Sequence, residues 1–400
     1  MTSIYTIIIA LTFILLERYY YLRKKNEIGY RYYNFISNVS IGICERLIYL
    51  FMLPLFYGIF NYIYIHYHLF AIPDKWYYWI VLLLFTDFVW YCYHWLGHRI
   101  NILWAAHIVH HQSEDYNLTV AARVTIFQAY IRTLFWCVLP LIGFNVDMVM
   151  GILIFHGAYS FFTHTQLGKN LHFLEYVFIT PSLHGIHHAS NAKYLDKNFG
   201  DVFVFWDKLF GTFQKEEEKP VYGLTQPFES HSFLWQHFHY YIELFYLAKT
   251  KTGGWNKINV FFVSPEYMDS SIRPKLEKKW LKTEKRQLAA PLKSYLNFQL
   301  SLCLLLLAIT TYLFNNTSWL IQAEVFVFII LTLINVGAII EQKKYIFYLE
   351  LIRLWQAFLF VALVTDTLLV ILVFSIVIQL LLYFLPIKLW YYKMLYKQVI

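Results

Sequence analysis

Nine apolar segments, at about residues 4–22, 39–65, 76–96, 124–142, 146–163, 298–315, 319–340, 345–364 and 367–386, dominate the chain of 400 residues. Crossing the hydrocarbon of a bilayer takes roughly 20 helical residues, so the segments predict up to nine membrane helices. The fold class that follows is all-α, a multi-pass integral membrane helical bundle. Composition agrees, with 59% of residues hydrophobic and 14% charged, where soluble domains sit near half and about a quarter. The pair 124–142 and 146–163, joined at Gly143-Phe144-Asn145, is short for two full spans and reads either as that or as a hairpin. Either way the chain re-emerges on the side it entered from.

Basic residues orient the bundle. With the N-terminus outside, the loops at 17–38, 97–123, 164–297 and 341–344 and the C-terminal tail share one side and hold nearly all Lys and Arg. The opposite loops are short and carry Asp74, Lys75, Asp147 and Asp366. The positive-inside rule makes the basic side cytoplasmic. The first apolar run, Ile4 to Leu16, has no basic residue before it and no small-residue cleavage site after it, and Arg18, Arg23 and Lys24 follow. That is the pattern of a retained anchor helix, not a cleaved signal.

The net charge of +8, on so apolar a background, points to anionic lipid and topology rather than to nucleic acid. Cys44, Cys92, Cys137 and Cys303 stand singly in apolar stretches, so they read as small buried hydrophobes. Three regions emerge: residues 1–245, a catalytic domain carrying the histidine motifs; 246–297, a basic connector that includes KLEKKWLKTEKR; and 298–400, four spans without a histidine. The connector's charge run reads as a solvated face or, more sharply, as an amphipathic stretch on headgroups.

Histidines fall in three bursts. His94 and His98 are spaced i, i+4 at the end of an apolar helix; His107, His110 and His111 are spaced i, i+3, i+4, and His184, His187 and His188 repeat that pattern. Such spacing puts each set on one helical face. Single histidines, namely His66, His68, His156, His172, His231, His237 and His239, read as hydrogen-bonded interior residues. Ionisable groups are costly near hydrocarbon, and a shared metal offsets that cost because neutral imidazole is a common ligand for Fe, Zn, Cu and Ni. Eight imidazoles exceed the four of a closed zinc site, so two metals fit better than one. Ligand count leaves iron and zinc both open.

HWLGH, an H-x3-H box, with HIVHH and HGIHH, two H-x2-HH boxes, resembles the pattern of the fatty acid hydroxylase/sterol desaturase superfamily of membrane non-haem di-iron enzymes. WAAHIVHHQSEDYNLTVAAR, TPSLHGIHH and NFGDVFVFWDKLFGTF resemble its glyceryl-ether-cleaving, alkylglycerol monooxygenase branch. The resemblance implies iron and the ligands His94, His98, His107, His110, His111, His184, His187 and His188. A further family histidine maps to His164 in FFTHTQLG, with helix capping as its other reading. Since metal-bound histidines normally donate their second N–H to a carboxylate or carbonyl, Asp87 and Asp207 are candidates to orient them; Asp207 reads equally as a turn or cap residue. Glu114 and Asp115 are candidates for a polar substrate or pterin contact, against a solvated loop. One position departs from the branch: the residue after the first box is typically acidic there, and here it is Arg99. The branch draws electrons from tetrahydrobiopterin, so Arg99, at the mouth of the site, bears on which external reductant is used.

The function implied is oxidation of a lipid C–H bond with O2, most readily cleavage of an alkyl-ether lipid. Aromatic-rich helices such as WYYWIVLLLFTDFVWYCY can shape a tunnel for a lipid tail. No G-x-S-x-G, P-loop or dinucleotide fingerprint occurs, so the reductant comes from a small donor or a separate protein. A sterol or fatty-acyl desaturase or hydroxylase with the same centre is a second reading. A metal transporter is a third, although its ligands should lie near the bilayer midplane on broken helices.

Overall fold

The structure, a computed structural model of the chain, describes residues 2–24, 29–168, 171–281, 289–365, 367 and 369–396. Asp366 and residues 282–288 of the basic connector lie outside them. The helices run in the order α1 (Thr2–Arg23), α2 (Tyr32–Tyr67), α3 (Trp76–Arg99), α4 (Asn101–His111), α5 (Ile126–Phe135), α6 (Val138–Ile142), α7 (Val146–Thr163), α8 (Pro181–His187) and α9 (Phe205–Phe210). They continue with α10 (Phe233–Thr250), α11 (Gly254–Asn259), α12 (Ile272–Trp280), α13 (Pro291–Leu313), α14 (Trp319–Ile340), α15 (Ile346–Thr365), α16 (Leu369–Phe384) and α17 (Ile387–Leu395). No strand forms among the described residues; there are two isolated bridges, Phe178 with Phe203 and Ala189 with Tyr222.

Seven of these helices are long and apolar enough to cross a membrane, and eight if a bent pair counts as one span. Two of the nine expected segments differ. Residues 124–142 break at Trp136-Cys137 into α5 and α6, so no helix there is long enough to span. The last, 367–386, holds only α16, which ends at Phe384; the chain then bends by 79° into α17, where Pro386 supplies no backbone donor and disfavours helix in the residue before it. Conversely α2, at 36 residues and about 54 Å long, exceeds one bilayer core.

The chain divides into two compact units: residues 11–229 with 237–274, and residues 1–10 with 230–236 and 275–400. In the first, α3 packs against α4, α5 and α7. Only Ile100, in extended conformation, separates α3 from α4, so the first two histidine bursts sit on consecutive helices at one corner. The α6–α7 turn is locked from the side: Leu69 and Phe70 donate backbone N–H groups to Leu141 O (2.8 Å) and Ile142 O (3.1 Å). A Cβ at Gly143, whose φ is +129°, would stand 1.8 Å from Phe70 O, so only glycine fits that turn. Thr180 caps α8, accepting from Leu183 N at 3.3 Å, with Pro181 in the first turn. Ile179, Leu183, Ile186, Ala189, Tyr194 and Val204 form a buried cluster around α8. That packing fixes the third histidine burst.

Candidate metal centre

The nine histidines singled out from sequence meet in two groups. His94, His98, His107, His111 and His187 form one, and His110, His164, His184 and His188 the other; within each, one nitrogen per ring lies within 4.8 Å of all the others. In the five-histidine group the Nε2 atoms of His94 and His107 are 3.1 Å apart and those of His107 and His111 3.0 Å. In the four-histidine group His110 Nε2 and His184 Nε2 lie 3.1 and 3.0 Å from His164 Nε2. The i, i+3, i+4 spacing of HIVHH divides between the groups: His107 and His111 face one, His110 the other.

The free nitrogens fit a metal. His94 Nδ1 donates to Phe199 O, His187 Nδ1 to Lys197 O and His164 Nδ1 to Ser160 O, at 2.8, 2.8 and 2.7 Å. A carbonyl only accepts, so those Nδ1 atoms carry the proton and each Nε2 presents a lone pair. The Nε2 atoms of His98, His187 and His188 are buried and have no hydrogen-bond partner. Burial first, and neighbouring imidazoles after it, hold His107, His110, His111, His184, His187 and His188 well below the usual histidine range. Burial likewise pulls His164 down to about 4. Near neutral pH these rings are therefore uncharged, the form that ligates metals.

Asp87 and Asp207 touch no histidine of either group. Asp87 accepts from Val202 N (2.8 Å), Phe203 N (3.0 Å) and Trp206 Nε1 (3.1 Å) and faces His156 Nε2 at 3.3 Å. Asp207 accepts from Phe199 N (2.7 Å), Gly200 N (2.9 Å) and Thr212 Oγ1 (2.6 Å), and burial pushes its carboxyl up to about 6. Both hold the loop whose carbonyls meet the histidines. His156 Nδ1 lies 3.0 Å from Asp201 Oδ2, which makes Asp87, His156 and Asp201 a third close group. Asp87 faces Nε2 of that ring and Asp201 its Nδ1, while neither oxygen of Asp201 has a hydrogen-bond partner.

Arg99 pairs with Asp196 at 3.3 Å, and the other oxygen of Asp196 lies 3.6 Å from His98 Nδ1. Glu114 and Asp115 both pair with Arg31 at 2.7 Å, Glu114 exposed and Asp115 buried. Sequence reasoning passed over Asp196, Asp201 and a buried chain behind α4. In that chain Arg273 donates to Glu243 (2.8 Å), His239 Nδ1 to Glu243 (2.7 Å), the Gln112 amide to His239 Nε2 (2.8 Å) and Arg123 to Gln112 Oε1 (2.8 Å). Only His239 and Glu243, spaced i, i+4 on α10, are brought together by local spacing; the other contacts join residues far apart in the chain or in different elements.

A family model described as fatty acid hydroxylase matches residues 79–212. Alkylglycerol monooxygenase of Homo sapiens is 33% identical over 329 residues, 80% of this chain and 73% of that one. The Xenopus tropicalis protein of the same name is 31% identical with the same coverage. An ornithine lipid hydroxylase of Rhizobium tropici is 30% identical over 155 residues, 37% of this chain and 46% of its own. No solved structure matches. The family match opens inside α3 and closes just past α9, so what it recognises is the part of the chain that builds both histidine groups; the chain belongs to the fatty acid hydroxylase family, with alkylglycerol monooxygenases among its relatives.

Proposed function

We propose that the chain is a membrane-bound lipid monooxygenase that hydroxylates a C–H bond of an alkyl-ether lipid with O2, using two iron ions held by the five- and four-histidine groups. The observation that carries this reading is the convergence of nine imidazoles, eight of them buried, whose ring nitrogens face one another and lack enough protein partners. Bound there, iron supplies the activation of O2 that acid–base side chains lack. The chain's own part is to hold the rings in one tautomer, exclude water and position the lipid. Trp90, 5.4 Å from His94 and 6.4 Å from Trp136 between ring centroids, walls the five-histidine group with apolar surface. Hydroxylation of the carbon beside the ether oxygen gives a hemiacetal, which collapses to aldehyde and glycerol without a protein nucleophile.

We assign catalysis to residues 1–245, with 246–297 as connector and 298–400 as a separate span region, and place the site on the cytoplasmic side, where the basic loops lie. Electrons come from an external donor, tetrahydrobiopterin or another reductant. The test is to supply the full-length protein in lipid nanodiscs with an alkylglycerol, O2 and tetrahydrobiopterin, and then with other donors, and to measure fatty aldehyde. Aldehyde carrying oxygen from labelled O2 is the expected product. Similarity to an ornithine lipid hydroxylase favours one second reading, hydroxylation of a lipid other than an ether, which a hydroxylated lipid without aldehyde would support.

A further inference from the structure

The two histidine groups are not supported alike. In the five-histidine group, four Nδ1 atoms face a partner: His94 meets Phe199 O, His187 meets Lys197 O, His98 faces Asp196 at ion-pair distance, and His107 lies 2.9 Å from the Gln128 amide. Turned to present Oε1, which has no hydrogen bond, that amide accepts from His107 Nδ1–H. In the four-histidine group only His164 has such a partner among the contacts resolved, Ser160 O at 2.7 Å. His110 Nδ1 and His184 Nδ1 are buried with none.

Three of the four partners come from one short segment, Asp196 to Phe199, and that segment is pinned from every side. Asp196 and Asn198 both hold left-handed backbone, with φ of 57° and 55°, a conformation that costs least in Asp and Asn. The Asn198 side chain donates to Leu183 O (3.0 Å) and Gln214 O (2.8 Å) and accepts from Gln214 N (2.9 Å). Asp207 grips the next two amides, those of Phe199 and Gly200. A Cβ at Gly200 would stand 2.9 Å from Asp207 Oδ2 and 2.6 Å from Phe203 O, so the grip depends on glycine there. Asp87 holds Val202 and Phe203 beyond, and Arg99 holds Asp196.

A partner on the second nitrogen fixes the tautomer and ring angle of a ligating histidine and raises its basicity, and losing one costs about 10–100-fold in metal affinity. From this asymmetry we propose that the two metal positions bind with unequal strength. The five-histidine site is the tight one, made so by the template Asp196–Phe199 with Asp207 as its positioning residue, and the four-histidine site fills last and empties first. This rests on the two-metal reading above.

The test is a metal titration rather than an assay of turnover. Full-length protein in detergent is stripped with chelator and titrated with Co(II), read by visible absorption and by metal content after desalting. The proposal expects two phases separated by at least about tenfold. His188→Ala should remove the weaker phase alone. Asp207→Asn should weaken the tighter phase by about tenfold and leave the other in place. Because Asp207 is buried, partly exposed Asp196→Asn is the companion variant, expected to shift the same phase in the same direction with an unchanged melting curve in the apo state. Two ions bound in one phase, or an equal effect of Asp207→Asn and Asp196→Asn on both phases, would overturn the proposal while leaving the two-metal reading intact. Fewer than two ions bound by wild type would overturn both.

Discussion

The two compact units bury polar groups for opposite purposes. In the unit that holds α13 to α17, Glu350 accepts from Tyr295 Oη, Gln299 Nε2 (3.1 Å), Asn335 Nδ2 (2.6 Å) and Tyr391 Oη (3.1 Å). Its partner Arg353 donates to Glu350 Oε2 (2.7 Å), Gln299 Oε1 (3.2 Å) and Thr332 Oγ1 (2.9 Å). Charge is balanced there and, apart from Asn335 Oδ1, the cluster closes on itself. The histidine unit instead aims lone pairs at one another. Donors and acceptors that satisfy each other mark architecture; buried nitrogens that converge and stay open could hold a metal ion.

The largest expected effect breaks the open side. His107→Ala or His187→Ala should reduce aldehyde formation below detection and lower bound metal, since each removes a ring from the five-histidine group. Activity retained in His187→Ala would exclude the third box from the site. Next comes Asp87→Ala, which strips four groups of their acceptor at a position with no solvent exposure. Breaking such a buried pairing costs about 3–5 kcal/mol, to be read as a lower midpoint of thermal unfolding. A midpoint within error of wild type would mean the loop does not depend on this carboxylate.

The closed cluster sharpens the comparison. Glu350→Gln keeps the side-chain shape but leaves Arg353 without its counter-charge, at about 1–3 kcal/mol, and metal content should not change. A loss of metal in Glu350→Gln would erase the distinction between the units. Smaller again is a pair of single histidines that the sequence treats as equals. His239→Ala removes the acceptor of the Gln112 amide and one donor to Glu243, which keeps Arg273, and should cost about 1–3 kcal/mol, whereas exposed His66 should cost under about 0.5 kcal/mol. Equal melting curves would remove the chain behind α4 from the account. Smallest is Arg99→Glu: its ion pair with Asp196 is partly exposed and worth about 1 kcal/mol at most. If rates with tetrahydrobiopterin match wild type in that variant, Arg99 has no part in choosing the donor.

The histidine groups were legible because i, i+3 and i+4 spacing fixes which side chains share a helical face, whatever the tertiary fold. Even the isolated His164, singled out on its resemblance to a family position, lies in the four-histidine group. What stayed hidden travels through the backbone. Phe199 O and Lys197 O orient His94 and His187, and a carbonyl has no signature in a side-chain sequence. Asp87 looked suited to orient a box histidine, yet it holds amides 115 residues away, and no local pattern encodes that distance. The broken segment 124–142 was as apolar as a true span, because composition does not register a turn at Trp136-Cys137. At Pro386 the opposite holds, and the bend was there to be read.

The central claim is that nine histidines from three boxes and one isolated position hold two metal ions. Metal content per chain, measured by mass spectrometry on full-length protein purified without added chelator and calibrated by amino-acid analysis, tests it most directly. The account predicts two iron atoms per chain in wild type and one in His188→Ala. One metal atom or none in wild-type protein that still oxidises lipid would contradict it.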